Sequence, residues 1–176
     1  MKSTIARILL VLATATIGNT ACTKDETTTP NTNNTGNNNN NGGSKNGGNS
    51  YTYGSDSYGI AKGEYLYADD DVYLFLQGSS VASYVQFIFP NKKGVIPVGS
   101  YTNNSLRYSP EYDVSKNFWG GVVTTDINPL GYQINGGTVT ISQSGDTYTI
   151  NFDITVNDNG TNIPAQGSYT GSLKAR

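Results

Sequence analysis

A two-residue alternation of apolar and polar side chains is the feature that most constrains the fold of this chain. Between residues 147 and 156 every second residue is apolar, and those between are threonine, asparagine or aspartate. Because successive side chains of a strand point to opposite faces, this pattern predicts a strand with one buried and one solvated face. The chain is therefore expected to form an antiparallel β structure.

Turn signals divide the alternating segments. Gly145-Asp146 and Asp158-Asn159-Gly160 contain residues that accept positive φ angles, and they predict a three-stranded C-terminal meander that closes with Gly167–Leu173. Further strand-like segments are Tyr58–Ala68, Val72–Gln77, Ser83–Phe89, Ile96–Thr102 and Phe118–Thr124. No segment after the N-terminal region has helical periodicity. About eight or nine short strands predict an all-β domain, either an antiparallel β-sandwich or a small β-barrel.

The N-terminal segment predicts export and lipid attachment. Lys2 and Arg7 form a positively charged region before an apolar run that is shorter than the roughly 20 residues of a membrane span, as in a secretory leader. Thr20-Ala21-Cys22 resembles the end of a bacterial lipobox, and Cys22 is the one cysteine in the chain. Residues 1–21 are therefore predicted to be a lipoprotein signal peptide, with Cys22 acylated. The alternative is an ordinary leader that leaves Cys22 as a free thiol.

A short charged motif follows the cysteine. Lys24, Asp25 and Glu26 resemble the signal that directs lipoproteins of the Bacteroidetes to the cell surface. The resemblance implies a lipid-anchored protein of the outer membrane that faces the cell exterior. The alternative is a solvated charge pair in a protein that faces the periplasm.

A polar, low-complexity segment separates this motif from the alternating strands. Residues 27–50 are almost entirely threonine, asparagine, glycine and serine, and such a composition cannot bury enough apolar surface to order the backbone. Residues 22–56 are therefore predicted to be a disordered tether. Residues 57–176 are predicted to form the all-β domain.

The meander carries a weak family resemblance. Its segments Gly137–Ile141, Gly145–Ile150 and Gly167–Gly171 are similar to the C-terminal ends of small Bacteroidetes surface lipoproteins. The resemblance covers about half of the predicted domain, and many such proteins have no assigned activity. It implies a fold and a location, and no mechanism.

Composition excludes several kinds of chemistry. The chain has no histidine, which removes Ser-His-Asp and Cys-His catalysis and histidine zinc sites. Glu64, Glu111 and Asp113 are the carboxylates considered for an acid/base pair, but nothing in their spacing brings two together. The net charge of −2 lacks the basic footprint of a nucleic-acid-binding protein. We expect neither enzymatic activity nor a cofactor.

Exposed aromatic residues are the candidates for binding. Trp119, Tyr65, Tyr67 and Tyr73 could stack on sugar rings, because strand parity cannot bury every aromatic residue of this region. The alternative is cross-strand pairing of tyrosines, which stabilises a sheet by roughly 0.2–1 kcal/mol per pair.

A run of three carboxylates is the candidate metal site. Asp69, Asp70 and Asp71 supply the oxygen ligands that calcium prefers. The alternative is a solvated hairpin turn.

The sequence thus predicts a non-catalytic, lipid-anchored lipoprotein that displays a β domain for binding or structural roles. Its expected partners are the membrane, through the covalent lipid, and a polysaccharide or another surface protein. The alternatives are a glycan-binding accessory lipoprotein and a calycin-like barrel that binds a small apolar ligand.

Overall fold

The computed structural model describes residues 48–90 and 94–176, whose regular secondary structure is entirely β-strand. The strands are β1 (Ser50–Tyr53), β2 (Asp56–Ala68), β3 (Asp71–Gly78), β4 (Tyr84–Pro90), β5 (Gly99–Asn103), β6 (Asn117–Phe118), β7 (Gly120–Thr124), β8 (Tyr132–Ser144), β9 (Thr147–Asp158), β10 (Thr161–Gly171) and β11 (Leu173–Ala175). The predicted all-β class is confirmed. The described ranges contain no helix long and apolar enough to cross a membrane.

Eight of the strands close into an antiparallel barrel. Hydrogen-bonded neighbours lead from β1 through β2, β3, β4, β7, β8, β9 and β10 back to β1. The ring closes because β8 pairs with β7 at Tyr132 and Gln133 and with β9 along most of its length. Of the two architectures that the sequence left open, the structure is therefore the barrel.

Three short strands extend the barrel. Strand β5 pairs antiparallel with β8 through Gly99–Thr102, and β6 pairs parallel with β5. Strand β11 pairs parallel with β2 near the C-terminus. Trp119 alone separates β6 from β7, and its backbone N–H donates to the Ile88 carbonyl oxygen of β4. Trp119 therefore lies where one segment of chain changes its neighbour from β5 to β4.

Aromatic and aliphatic side chains fill the barrel interior. The ring of Phe87 lies 5.4 Å from that of Phe152 and 5.7 Å from that of Phe118, both in edge-to-face geometry. Fully buried aliphatic residues surround them: Val72, Leu74, Leu76, Val85, Val123, Ile141, Ile150 and Ile154. Side chains thus occupy the level where a calycin-like barrel would hold a central ligand.

The hairpin turns follow the local chemistry of the sequence. Asp69 and Asp70 both have positive φ angles, 49° and 63°, as do Asn159 and Gly160, 50° and 91°. Two consecutive positive φ angles are typical of the type I′ turn, whose twist matches that of the flanking strands. The predicted turns at these positions are confirmed.

The start of the ordered domain differs from the prediction. The sequence predicts that residues 50–56 belong to the tether, whereas β1 begins at Ser50 and pairs with both β2 and β10. The side chain of Tyr51 is fully buried, and its hydroxyl donates to the Thr124 carbonyl oxygen at 3.0 Å. The segment lacks aliphatic residues, so its composition resembled the tether although one tyrosine anchors it in the core.

A glycine allows two strands to approach closely beside Trp119. Gly121 has a φ of 153°, and a Cβ at this position would overlap the backbone carbonyl of Gln86 in β4. Both observations require glycine, because other residues rarely adopt this conformation and the obstructing atom belongs to the backbone. The close β4–β7 contact fixes the backbone two residues beyond Trp119.

Candidate functional site

A pocket of about 500 Å³ lies between Trp119 and the loop 104–116, which connects β5 to β6. Its lining residues are Ser105, Leu106, Arg107, Tyr108, Ser109 and Trp119. We call this feature the Trp119 pocket. Its volume lies within the range of small-ligand sites, and it combines aromatic surface with a few polar groups, as such sites usually do.

Side chains of the loop hold its own backbone in place. The Asn104 carboxamide accepts a hydrogen bond from the Leu106 N–H, and the Ser109 hydroxyl accepts one from the Glu111 N–H. Asp113 accepts bonds from both the N–H and the hydroxyl of Ser115. These bonds lower the pKa of the Asp113 carboxyl. The loop backbone is therefore held in part by the loop's own polar side chains.

A buried carboxylate connects the loop to the barrel. Asp71, at the start of β3, is 2% exposed. One of its oxygens accepts a hydrogen bond from Arg107 Nη1 at 2.7 Å, and the other accepts one from Trp119 Nε1 at 3.2 Å. A charge-assisted bond of this length is stronger than a neutral one. Asp71 thus positions both the cation and the largest ring of the pocket.

The Arg107 guanidinium lies close to two aromatic rings. Its central carbon is 5.4 Å from the centroid of the Trp119 ring and 5.7 Å from that of Tyr108. Both distances are within the range of cation–π attraction. The arginine side chain remains 22% exposed, so it is accessible from the pocket.

Tyr112 lies close enough to this group for the charges of Arg107 and Asp71 to act on its phenol. Its hydroxyl donates to the Asn117 carbonyl oxygen at 3.1 Å. Burial raises the pKa of Tyr112 to about 12, and the negative charge of Asp71 contributes to the increase while Arg107 opposes it. The phenol therefore stays neutral at physiological pH and continues to donate its hydrogen bond.

The three carboxylates of the calcium hypothesis do not converge. Asp69 and Asp70 are exposed at the hairpin turn, whereas Asp71 is buried and directed toward Arg107 and Trp119. Within residues 48–90 and 94–176, no group of three metal-ligating side chains lies close enough together to hold an ion.

The four aromatic candidates lie in different places. Tyr65 and Tyr67 are opposite Leu74 and Val72, which are fully buried, so they share the inward face of the sheet. Tyr73 lies on the other face, opposite Ile88. The structure therefore contains no flat row of these tyrosines, and Trp119 is the one candidate that lines the pocket.

Sequence reasoning did not select Leu106, Arg107 or Tyr108. A signal was present, because Arg107 is the one cation between Lys93 and Lys116 and stands between two large apolar residues. Its partner Asp71 is 36 positions away, however, and only the folded chain brings the two together.

The remaining predicted residues lie outside the described part of the chain. These are Cys22, the proposed lipidation site, and Lys24, Asp25 and Glu26, the proposed export signal.

Comparison with known proteins adds no assignment. The chain matches no protein-family model, no curated protein and no solved structure.

Proposed function

We propose that this chain is a non-catalytic, lipid-anchored protein of the outer cell surface whose barrel binds carbohydrate in the Trp119 pocket. The observation that carries the proposal is the convergence of Trp119, Tyr108 and Arg107 on one concave surface. Aromatic rings suit the C–H faces of a sugar, and guanidinium N–H groups donate to its hydroxyl oxygens.

The anchoring part of the proposal rests on the leader sequence. Cys22 would carry the lipid, and Lys24, Asp25 and Glu26 would direct the protein to the outer face. A covalent lipid supplies the membrane attachment, and the barrel is then free to contact extracellular glycans.

Labelling and protease accessibility test the anchor. We expect a radiolabelled fatty acid to enter the wild-type protein and not the Cys22→Ser variant. Proteinase added to intact cells should remove the domain. Protection in intact cells, with digestion after lysis, would contradict the surface location.

Fluorescence tests the binding site directly, because Trp119 is the single tryptophan of the chain. Glycans identified on an array would be titrated into the purified domain while its emission is recorded. We expect a saturable change, and loss of array binding in Trp119→Ala. Tyr67→Ala is the matched control, since Tyr67 is a partly exposed aromatic residue that does not line the pocket. An array without any bound glycan would refute the proposal.

A further inference from the structure

We infer that the carbohydrate bound in the Trp119 pocket is uncharged, and that Asp71 sets this preference by neutralising Arg107. The inference rests on the proposed function and goes beyond it, because it assigns the chemical class of the ligand and a residue that determines specificity. Asp71 is absent from the pocket lining and acts through the residues that it holds.

The cation of the pocket is already paired. Among the residues that line the pocket, Arg107 carries the positive charge, and an unpaired guanidinium there would attract a sugar carboxylate. Its Nη1 instead lies 2.7 Å from Asp71 Oδ2, and the aspartate side chain is almost fully buried. A carboxylate that approached Arg107 would therefore also meet the repulsion of a nearby, poorly screened negative charge.

The other cation of the loop does not offset this repulsion. The loop 104–116 and Asp71 together contain two cations and three anions. The second cation, Lys116, forms an ion pair with Asp113 at 3.3 Å, is highly exposed and does not line the pocket. No further positive group in the described part of the lining is available to an acidic sugar.

The same arrangement still suits a neutral sugar. Arg107 has five N–H donors, and one of them bonds to Asp71. Hydroxyl oxygens of a ligand would accept from exposed donors without introducing a charge into the site. Trp119 and Tyr108 flank the guanidinium and offer apolar faces to the ring of the sugar. A neutral pyranose can therefore accept hydrogen bonds from the guanidinium and pack its apolar face against the aromatic rings.

Matched pairs of glycans test the inference. Each pair consists of an oligosaccharide of glucose, mannose or galactose and its uronic-acid counterpart with the same linkage, so the members differ only in a carboxylate for a hydroxymethyl group. Titration calorimetry of the domain at 50 mM and 500 mM NaCl would give their affinities. We expect the neutral member of a bound pair to bind at least about tenfold more tightly, with little salt dependence.

Two variants identify the responsible residue. Asp71→Asn removes the compensating charge and should reduce the preference for the neutral member by about tenfold. Asp113→Asn is the control, because it removes a carboxylate of the same loop that does not contact Arg107, and it should leave the preference unchanged. If Asp71→Asn does not fold, the wild-type affinities and their salt dependence still show whether the pocket prefers a neutral or an acidic sugar. The same glycan pairs, measured with Arg107→Lys, then test the ion pair between Arg107 and Asp71.

The outcomes separate this inference from the proposed function. Tighter binding of the uronic-acid member by the wild type would overturn the inference and leave carbohydrate binding intact. An equal loss of preference in Asp113→Asn would overturn the role of Asp71. If the protein binds neither any glycan pair nor any glycan of the array, both the inference and the proposed carbohydrate binding are refuted.

Discussion

Two loop regions of the barrel are each held by one buried polar side chain of β3, yet they differ in what that side chain contacts. Asp71, at the start of β3, bonds to the side chains of Arg107 and Trp119. Gln77, near its end, donates from Nε2 to three backbone carbonyls of the loop 79–83. The first contact sets the chemistry of a pocket, whereas the second sets only the path of the backbone.

Exposed apolar residues show the same contrast. The second region also includes the loop 125–131, because a hydrogen bond between Ser80 and Asp126 joins it to the loop 79–83. In this region, Val81, Ile127 and Leu130 are about as exposed as Tyr108. Tyr108, however, lies beside an ordered cation in the lining of a pocket. Exposure alone therefore does not identify a site, whereas a pocket that combines aromatic faces with an ordered cation supports one.

The largest expected effect is a difference in the free energy of unfolding between a variant of the first region and one of the second. Asp71→Ala would leave Arg107 and Trp119 Nε1 without their partner, and we expect the free energy of unfolding to fall by about 3–5 kcal/mol. Asp126→Ala removes an exposed carboxylate and should cost less than about 1 kcal/mol. Urea unfolding of both variants measures the difference. Equal losses would show that Asp71 does not act as a buried ion-pair partner.

The next effect concerns the second anchor. Gln77→Ala removes the donor shared by the carbonyls of Ser80, Val81 and Ser83, and we expect a loss of about 1–3 kcal/mol in the same assay. Glycan affinity should stay unchanged, because none of these groups contacts the Trp119 pocket. A parallel loss of binding would mean that the two regions are coupled.

A third prediction compares side chains of equal exposure. Tyr108 and Leu130 are both 91% exposed, so replacing either by alanine should change stability by less than about 0.5 kcal/mol. We expect Tyr108→Ala to weaken glycan binding by about tenfold and Leu130→Ala to leave it unchanged. Calorimetric titration checks both. A loss confined to Leu130→Ala would assign binding to the other region.

The smallest expected effect is a decrease in the free energy of unfolding at alkaline pH. Burial raises the pKa of Tyr112 to about 12, above the ordinary value near 10. Its contribution to stability is therefore fully present below pH 10 and is lost as the pH rises through about 12. We expect unfolding free energies measured between pH 9 and pH 12 to fall less in Tyr112→Phe than in the wild type.

A tyrosine of β2 provides a counterpart to this comparison. The pKa of Tyr58 is raised, first by burial and then by the charges of Asp56 and Asp126. Tyr58→Phe should therefore also reduce the alkaline loss. An alkaline loss that Tyr58→Phe leaves unchanged would contradict the burial of that phenol.

Local rules predicted much of the fold and little of the site. Alternation and Asn-Gly or Asp-rich turns identified the hairpins of β2–β3 and β8–β10, because strand parity and turn geometry depend on neighbouring residues. Closure of the ring depends on pairs such as Tyr51 with Gly167, which lie far apart in the chain. The contact of Asp71 with Arg107 is equally non-local, and the loop that carries Arg107 has no periodic pattern to reveal it.

Strand β1 has a mechanical consequence. It is the first strand of the ring, and its four residues hydrogen-bond on one side to β2 and on the other to β10. Any force that reaches the domain through residue 48 is therefore shared between two rows of backbone hydrogen bonds. Extraction of β1 would also pull the buried ring of Tyr51 out of the core. The barrel should resist tension from its N-terminal side until β1 leaves, and rupture would then open the whole ring in one step.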